Sequence, residues 1–442
     1  MAGRLTAWTA ERATASGLSA VAHGALVEID GAGPALVTAL LADRVELAPL
    51  SPHPPRLGAE VRVLGPLAVP AGEELIGRAI DGLGRPLDGG GAPACVRVEP
   101  VFGRDPVVVP PAWRRLTLGA LVYDLQRVIA VGASLVAVGP EEVWLHVLRH
   151  QAAAGRVIVF ATPAGTVPAH LGLRRGARPA RAGMPAQEPV RCIHVAAERD
   201  ATPAQQWLVP WTAMAIASSL RAQGRDVVVA IESLDAWQLH ARAFPARGSW
   251  ATQLAQLTAR AYARPSGSVS LLARAREVSP ACASAFDEIL DLSLAVRGEL
   301  PVIGTKLVRP PLRVASPGLL GQACVLAALL AEHQRIGRAY PSPARGTGPD
   351  LELEHARRLR ECLRFRTGGT LDSLEQLLGL LAVTTLPDLA VSAVAGFVDA
   401  YLARLRRDHA GTLAAIRAAG RLDADDERAL LAVAAAVAAT FR

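Results

Sequence analysis

VPAGEELIGRAIDGLGRPLDGG, residues Val69 to Gly90, is the stretch whose reading decides the fold. Taken alone, its Asp81-Gly82 and Asp88-Gly89 pairs are hairpin-turn signals, and Pro70, Gly77, Gly84 and Pro86 deny it a long helix or strand. It is a crossing segment between two differently patterned regions. On its N-terminal side, Ala25 to Ile29, Pro34 to Leu41, Val45 to Leu47 and Glu60 to Leu64 read as short strands separated by turns, the spacing of a small all-β barrel over residues 1–68. On its C-terminal side, from about residue 116, apolar runs alternate with helix-length segments. The runs are Ser134 to Val138, Val157 to Phe160, Cys192 to Val195, Val227 to Ile231 and Val269 to Leu272, and the helices include Ala204 to Gln223 and Trp250 to Ala263. Such alternation predicts parallel βαβ units, here an α/β domain over 69–313. The last part, 314–442, carries Leu351 to Leu363, Leu371 to Val383, Pro387 to Leu405 and Asp423 to Phe441 at helical spacing and reads as an α-helical bundle. No internal repeat is found.

Composition narrows the classes of function. The chain has 442 residues, 51% apolar and 20% charged, so it has ample length for large cores and is not disordered. Aromatics are only 4%, which leaves few platforms for stacking on bases. The net charge of +7 comes almost wholly from arginine, because Lys306 is the only lysine. Arg357, Arg358 and Arg360 interleave with Glu352, Glu354 and Glu361 as on solvated helix faces, so no nucleic-acid partner is expected. The five cysteines are far apart with no CxxC pair, which predicts neither a zinc site nor a disulfide framework and fits a reducing cytoplasm. No export signal is read at the N-terminus. The most apolar stretches, Val128 to Pro140 and Ala429 to Phe441, fall short of the roughly 20 residues a bilayer needs.

The Val69–Gly90 stretch resembles the segment that leads from the β-barrel into the nucleotide-binding domain of F-type ATP synthase subunits. Three more stretches match in the same order. Gly119 to Asp124 is similar to the family's entry to the phosphate-loop strand, and Asp200 to Pro210 (DATPAQQWLVP) to the segment before its second nucleotide strand; Ile416 to Phe441 is similar to the last two helices of the alpha subunit. That tail points to alpha over flagellar and type III secretion ATPases, whose helical end is shorter. The resemblance implies an N-terminal β-barrel, a central P-loop-NTPase-like (RecA-like) domain with a parallel sheet and a C-terminal helical bundle. It also implies beta-type and gamma-type partners in a hetero-oligomeric ring, Mg-ATP or ADP on the beta-type partner, and a cytoplasmic place on the inner face of the cell membrane, reached only through the complex. One departure concerns the start: the family's amphipathic stalk-docking stretch has no counterpart, the barrel being expected to begin near Trp8 to Val21.

The nucleotide chemistry departs further. A phosphate loop is Gly-x-x-x-x-Gly-Lys-Ser/Thr because backbone N–H groups cradle phosphates, lysine neutralises charge and the hydroxyl holds Mg²⁺. Laid without a gap on this chain, the pattern puts its first Gly at Gly139, its second on Trp144, its Lys on Leu145 and its hydroxyl on His146, with Pro140, Glu141 and Glu142 in the loop. These positions are therefore predicted not to bind, and no cofactor or metal is expected on this chain. The acid after the Val227–Ile231 strand is Glu232, a carboxylate that suits Mg²⁺ or simply a helix start, and the adenine-lining glutamines fall on Phe365 and Thr367. His146 and His150, at i and i+4 beside Glu141 and Glu142, lack a third ordered metal ligand and read as a polar helix face. The resemblance implies one surviving element, an arginine sent in trans to the partner's γ-phosphate. It falls at Arg309, with Arg313 the competing candidate. The expectation is a non-catalytic alpha-type subunit of an F-type or F-like rotary ATPase. The alternatives are a paralogue outside the ring acting as scaffold or regulator, and a secretion-type ATPase.

Overall fold

The computed structural model describes residues 2–18, 21–95, 97–102, 114–124, 129–163, 191–198, 200–241, 248–298, 351–364, 371, 373–419 and 422–441. They fall into two compact units. One comprises Met1–Trp113, Val131–Val138 and Gln151–Leu290; the other comprises Arg114–Ala130, Gly139–His150 and Asp291–Arg442.

The first unit begins with a closed six-stranded barrel. Its strands are β1 Ala2–Trp8, β2 Ala13–Ser16, β3 Ala25–Ile29, β4 Gly33–Leu40, β5 Val45–Pro49 and β6 Glu60–Pro66, ordered β1-β2-β5-β4-β3-β6 with every described pairing antiparallel. Alternate residues point inward: Leu5, Ala13, Ala15, Val27, Ile29, Ala35, Val37, Val45, Leu47 and Val61 form one buried cluster. Irregularities at Leu5/Ala7, Leu26/Val27 and Val37/Ala39 bend the strands, which is how so small a sheet closes on itself. Strands β3 to β6 lie where the sequence predicts them. The barrel starts earlier than expected, at Ala2, because the short, Ala- and Thr-rich β1 and β2 carry too little alternation to be read as strands.

The crossing segment follows, with β7 Ala68–Pro70 paired to β9 Val98–Pro100 and, between them, β8 Ala79–Ile80 joined to the edge of the main sheet. Its turns are tied internally. Arg78 makes two hydrogen bonds to the Asp88 carboxylate, at 2.6 and 3.0 Å, and Asp81 accepts from the backbone N–H groups of Leu83 and Arg85 and from the Arg85 side chain. Gly82 lies against the helix Pro203–Ala222 so closely that a Cβ there would meet Gln205 O and Leu208 Cβ, each at 3.1 Å. The Gly82 carbonyl accepts from Thr212 Oγ1 at 2.6 Å.

The main sheet adds β12 Ser134–Val138, β13 Val157–Thr162, β14 Cys192–Ala196, β15 Asp226–Ile231, β16 Tyr262–Ala263, β17 Ser268–Arg274 and β18 Glu288–Asp291, while β10 Arg115–Leu116 and β11 Ile129–Ala130 form a separate pair. The order is β18-β12-β17-β15-β13-β14-β8, with parallel pairing from β12 through β8. This is a P-loop-like α/β arrangement. Register puts Val159, Val195, Val229 and Leu271 on one face, within the core cluster that also contains Trp207, Met214 and Ile216 of the helix Pro203–Ala222. That helix starts at a capping box, Thr202 with Gln205, and Thr202 Oγ1 also donates to Pro49 O of the barrel at 2.9 Å. Phe102, Trp207, Trp211, Trp237 and Trp250 form a chain of ring contacts, so a chain poor in aromatics concentrates them here. The helix from Trp250 ends at Thr258, short of the expected Ala263. Tyr262–Ala263 instead pairs antiparallel with β17 across a turn closed by Arg264 and Gly267, where Pro265 disfavours helical backbone in the residue before it.

In the second unit the C-terminal region is helical: Leu351–Leu363, Ser373–Thr385, Val394–Asp408, Ala410–Ala419 and Ala424–Ala438. Ala410–Ala419 is a helix the sequence reading did not separate. The buried Glu375 takes two hydrogen bonds from Arg406, at 2.8 and 2.9 Å, with Arg417 at 3.6 Å. Tyr401 donates to Leu430 O at 3.1 Å, joining two helices.

Candidate functional site

The strand β12 hands over to the helix Glu141–Ala153 through two residues, Gly139 and Pro140. Gly139 is required by geometry: its φ is +117°, and a Cβ would meet the Ser293 backbone nitrogen at 3.0 Å. In a phosphate loop the residues after the first glycine stay out of the helix and turn their N–H groups toward the anion. Here three of them, Glu141, Glu142 and Val143, are already helical, and the Trp144 N–H donates to Pro140 O at 3.4 Å. The amides left without an intrahelical acceptor belong to Glu141, Glu142 and Val143. Glu141 and Glu142 put their own carboxylates at the positive end of the helix.

The three positions on which the ungapped pattern lays its Gly, Lys and Ser/Thr are all buried. Trp144 is 1% exposed, Leu145 7% and His146 6%. Trp144 and Leu145 continue an apolar run with Val143, Val147 and Leu148. His146 Nε2 lies 3.0 Å from the Gly119 carbonyl oxygen, which only accepts, so this nitrogen carries the proton. Burial pushes the His146 pKa below its ordinary value. One turn on, His150 Nε2 is 2.9 Å from Thr117 Oγ1. The two imidazoles are thus buried against the chain, not the solvated polar face the spacing suggested.

The turn they hold is built around Asp124. Its carboxylate accepts from the N–H groups of Leu118 (2.6 Å) and Gly119 (2.8 Å) and from Gln376 Nε2 (3.2 Å). Burial raises the Asp124 pKa against the opposing pull of these donors. Arg115 donates to the Asp124 carbonyl, and Tyr123 donates to the Asp291 carbonyl. Of this group, sequence reasoning found Gly119, Asp124, His146 and His150. It missed Thr117 and Gln376, for which no local signal exists.

Glu232 is half-buried directly after β15, its N–H donating to Ala161 O at 3.0 Å. Register places it in one row with Thr162 and Arg274 at the C-terminal ends of β13 and β17. Among the described residues no group of three or more His, Cys, Asp and Glu has metal-ligand geometry. Arg309, Arg313, Phe365 and Thr367 lie outside the described residues.

No family model matches the chain. Single proteins do. A protein of Burkholderia pseudomallei (strain 1710b) named ATP synthase subunit alpha 2 is 28% identical over 174 residues, 38% of this chain and 26% of that protein. A protein of Paraburkholderia xenovorans (strain LB400) named ATP synthase subunit alpha 3 is 32% identical over 177 residues, 38% of this chain and 32% of that protein. Over 38% of its length this chain is therefore similar to alpha subunits of ATP synthases. A Burkholderia thailandensis alpha 2 subunit agrees, at 27% over 174 residues, with 38% of this chain and 30% of that protein covered. The chain therefore spans about a third or less of the length of the curated relatives it matches. Among the described residues, no helix of this chain is long and apolar enough to cross a membrane.

Proposed function

We propose that this chain is a non-catalytic alpha-type subunit of an F-type or F-like rotary ATPase ring, which itself binds no nucleotide. In this reading it supports ATP synthesis or hydrolysis, coupled to proton or sodium transport, through a beta-type partner that carries Mg-ATP or ADP. A gamma-type subunit and the membrane part of the complex complete the assembly. The chain lies in the cytoplasm, peripheral on the inner face of the cell membrane. The observation that carries the reading is the junction at Gly139: the helix starts at Glu141, Trp144 fills the second glycine position, and the lysine and hydroxyl positions are Leu145 and His146. A triphosphate brought there meets the carboxylates of Glu141 and Glu142 and neither the lysine nor the hydroxyl of the pattern, and a helix that starts at Glu141 narrows the amide cradle on which phosphate binding rests. An alpha-type role tolerates this because the subunit acts as spacer and interface. Arg309 is the residue we assign to reach the partner's transferring phosphoryl group, with Arg313 as the rival. An arginine acting in trans on that group raises turnover by about 10³ to 10⁵.

Isothermal titration of the purified chain with Mg-ATP tests the first half: no heat of binding is expected up to millimolar ligand, and micromolar affinity overturns it. Co-expression with a beta-type subunit tests the second. A stable complex is expected, in which Arg309→Ala lowers ATP turnover steeply while assembly persists; a change of less than about threefold removes the assignment.

A further inference from the structure

The Thr117–Asp124 turn is held from two sides within one compact unit. From one side, the Asp124 carboxylate takes the N–H groups of Leu118 and Gly119. From the other, His146 donates to the Gly119 carbonyl and His150 bonds Thr117, at 3.0 and 2.9 Å. The His150 ring lies directly on Gly119: a Cβ at that residue, whose φ is +72°, would come within 2.6 Å of the imidazole. Asp124 then passes the contact on through Gln376 Nε2 to the helix Ser373–Thr385. Gln376 is anchored in turn by the Leu371 carbonyl at 3.0 Å. His146, His150, Asp124 and Gln376 are all under a tenth exposed. Buried hydrogen bonds of this kind are costly to open, because each broken one strands a polar group away from water.

We propose that His146 and His150 are a built-in latch that fixes the Thr117–Asp124 turn, and through Asp124 and Gln376 the helix Ser373–Thr385, in one arrangement that needs no nucleotide. The inference rests on the reading of the Gly139 junction as nucleotide-free, and gives two residues of the helix Glu141–Ala153 a positive task. They are positioning residues: they touch the turn and act on the helix through it.

Hydrogen exchange read by mass spectrometry on the full chain separates the possibilities. In the wild-type chain without ligand, the Leu118 and Gly119 amides and the first turn of the helix Ser373–Thr385 are expected to be protected, and Mg-ATP changes nothing. His146→Ala with His150→Ala speeds exchange in both places by about tenfold or more, while the barrel strands keep their protection. His146→Gln retains an N–H donor for the Gly119 carbonyl and keeps protection, whereas His146→Leu fills the space without the donor and loses it. This pair decides the matter where the double alanine variant also exposes the barrel. Equal protection in the Gln and Leu variants, or an unchanged double variant, overturns the latch and leaves the nucleotide-free reading standing. Amides that exchange freely until Mg-ATP is added overturn both.

Discussion

The crossing segment Val69–Gly90 and the junction Gly139–His150 are both stretches where the chain changes from one element to the next, yet they differ in what their residues face. In the crossing segment the polar groups are tied inside the chain: Arg78 to Asp88, Arg85 to Asp81, and Thr212 of the helix Pro203–Ala222 to the Gly82 carbonyl. At the junction, Trp144, Leu145 and His146, on which the phosphate-loop pattern falls, are buried. The crossing segment thus finds its partners within the fold. At the junction the backbone turns helical at Glu141, and the side chains that follow pack inside the chain.

Truncating the junction is expected to cost the most. Trp144→Ala removes a fully buried indole and lowers stability by about 3–5 kcal/mol, measured by urea unfolding. A loss under about 1 kcal/mol means that the indole borders open space, and the contrast with an open ligand site fails. Next comes the crossing segment. Asp88→Ala leaves the mostly buried Arg78 without its two-bond partner and is expected to cost about 1.5–3 kcal/mol. The Arg78 hydrogen bonds hold the Asp88 carboxyl well below the usual carboxylate range. The pair's contribution is therefore complete above about pH 4 and fades only at more acid pH, as the folded carboxyl takes up its proton.

His194 sharpens the comparison with a titration. It lies in β14 beside the crossing segment, its N–H donating to Arg78 O at 2.9 Å, its ring stacked on Phe160 at 5.0 Å and both ring nitrogens without a hydrogen-bond partner. Burial pushes its pKa down to about 4. A base that charges more readily unfolded than folded costs stability as pH falls through the window between its folded value and the ordinary value of about 6.5. Going from pH 7 to pH 5 is expected to remove about 2 kcal/mol that His194→Leu retains, as read by urea midpoints at the two pH values. Equal pH slopes for wild type and variant refute it. The smallest effect expected is at the helix on which the crossing segment docks: Thr202→Ala removes the cap on Gln205 N–H and the bond to Pro49 O, lowering stability by about 1 kcal/mol. Thr202→Ser, which retains the hydroxyl, is expected to recover most of it.

Strands β3–β6 and β12–β15, together with the helices Pro203–Ala222 and Leu351–Leu363, are legible in the sequence because each repeats one local period over enough residues. Where the period is short or shared, it fails. Ala2–Trp8 and Ala13–Ser16 carry few large apolar residues, and Tyr262–Ala263 looks like the end of a helix until Pro265 and the pairing with β17 are considered. In the candidate site, Gly139, Trp144, Leu145, His146 and Glu232 were legible by position along the chain. The contacts of His146 and His150 were not, since Gly119 and Thr117 stand 27 and 33 residues away.

The sequence by itself determined the chain's similarity to alpha subunits, its three successive patterns and the absence of a Gly-Lys-Ser/Thr run after Gly139, because residue identity and spacing are local properties. Only the tertiary structure decided that Trp144 is buried, that the helix begins at Glu141, and that two histidines, Asp124 and Gln376 close on one turn. The physical reason is that burial and hydrogen-bond partnership depend on segments far apart in the chain, here Gln376 and Asp124 at 252 residues' separation, and no local pattern encodes which of them meet.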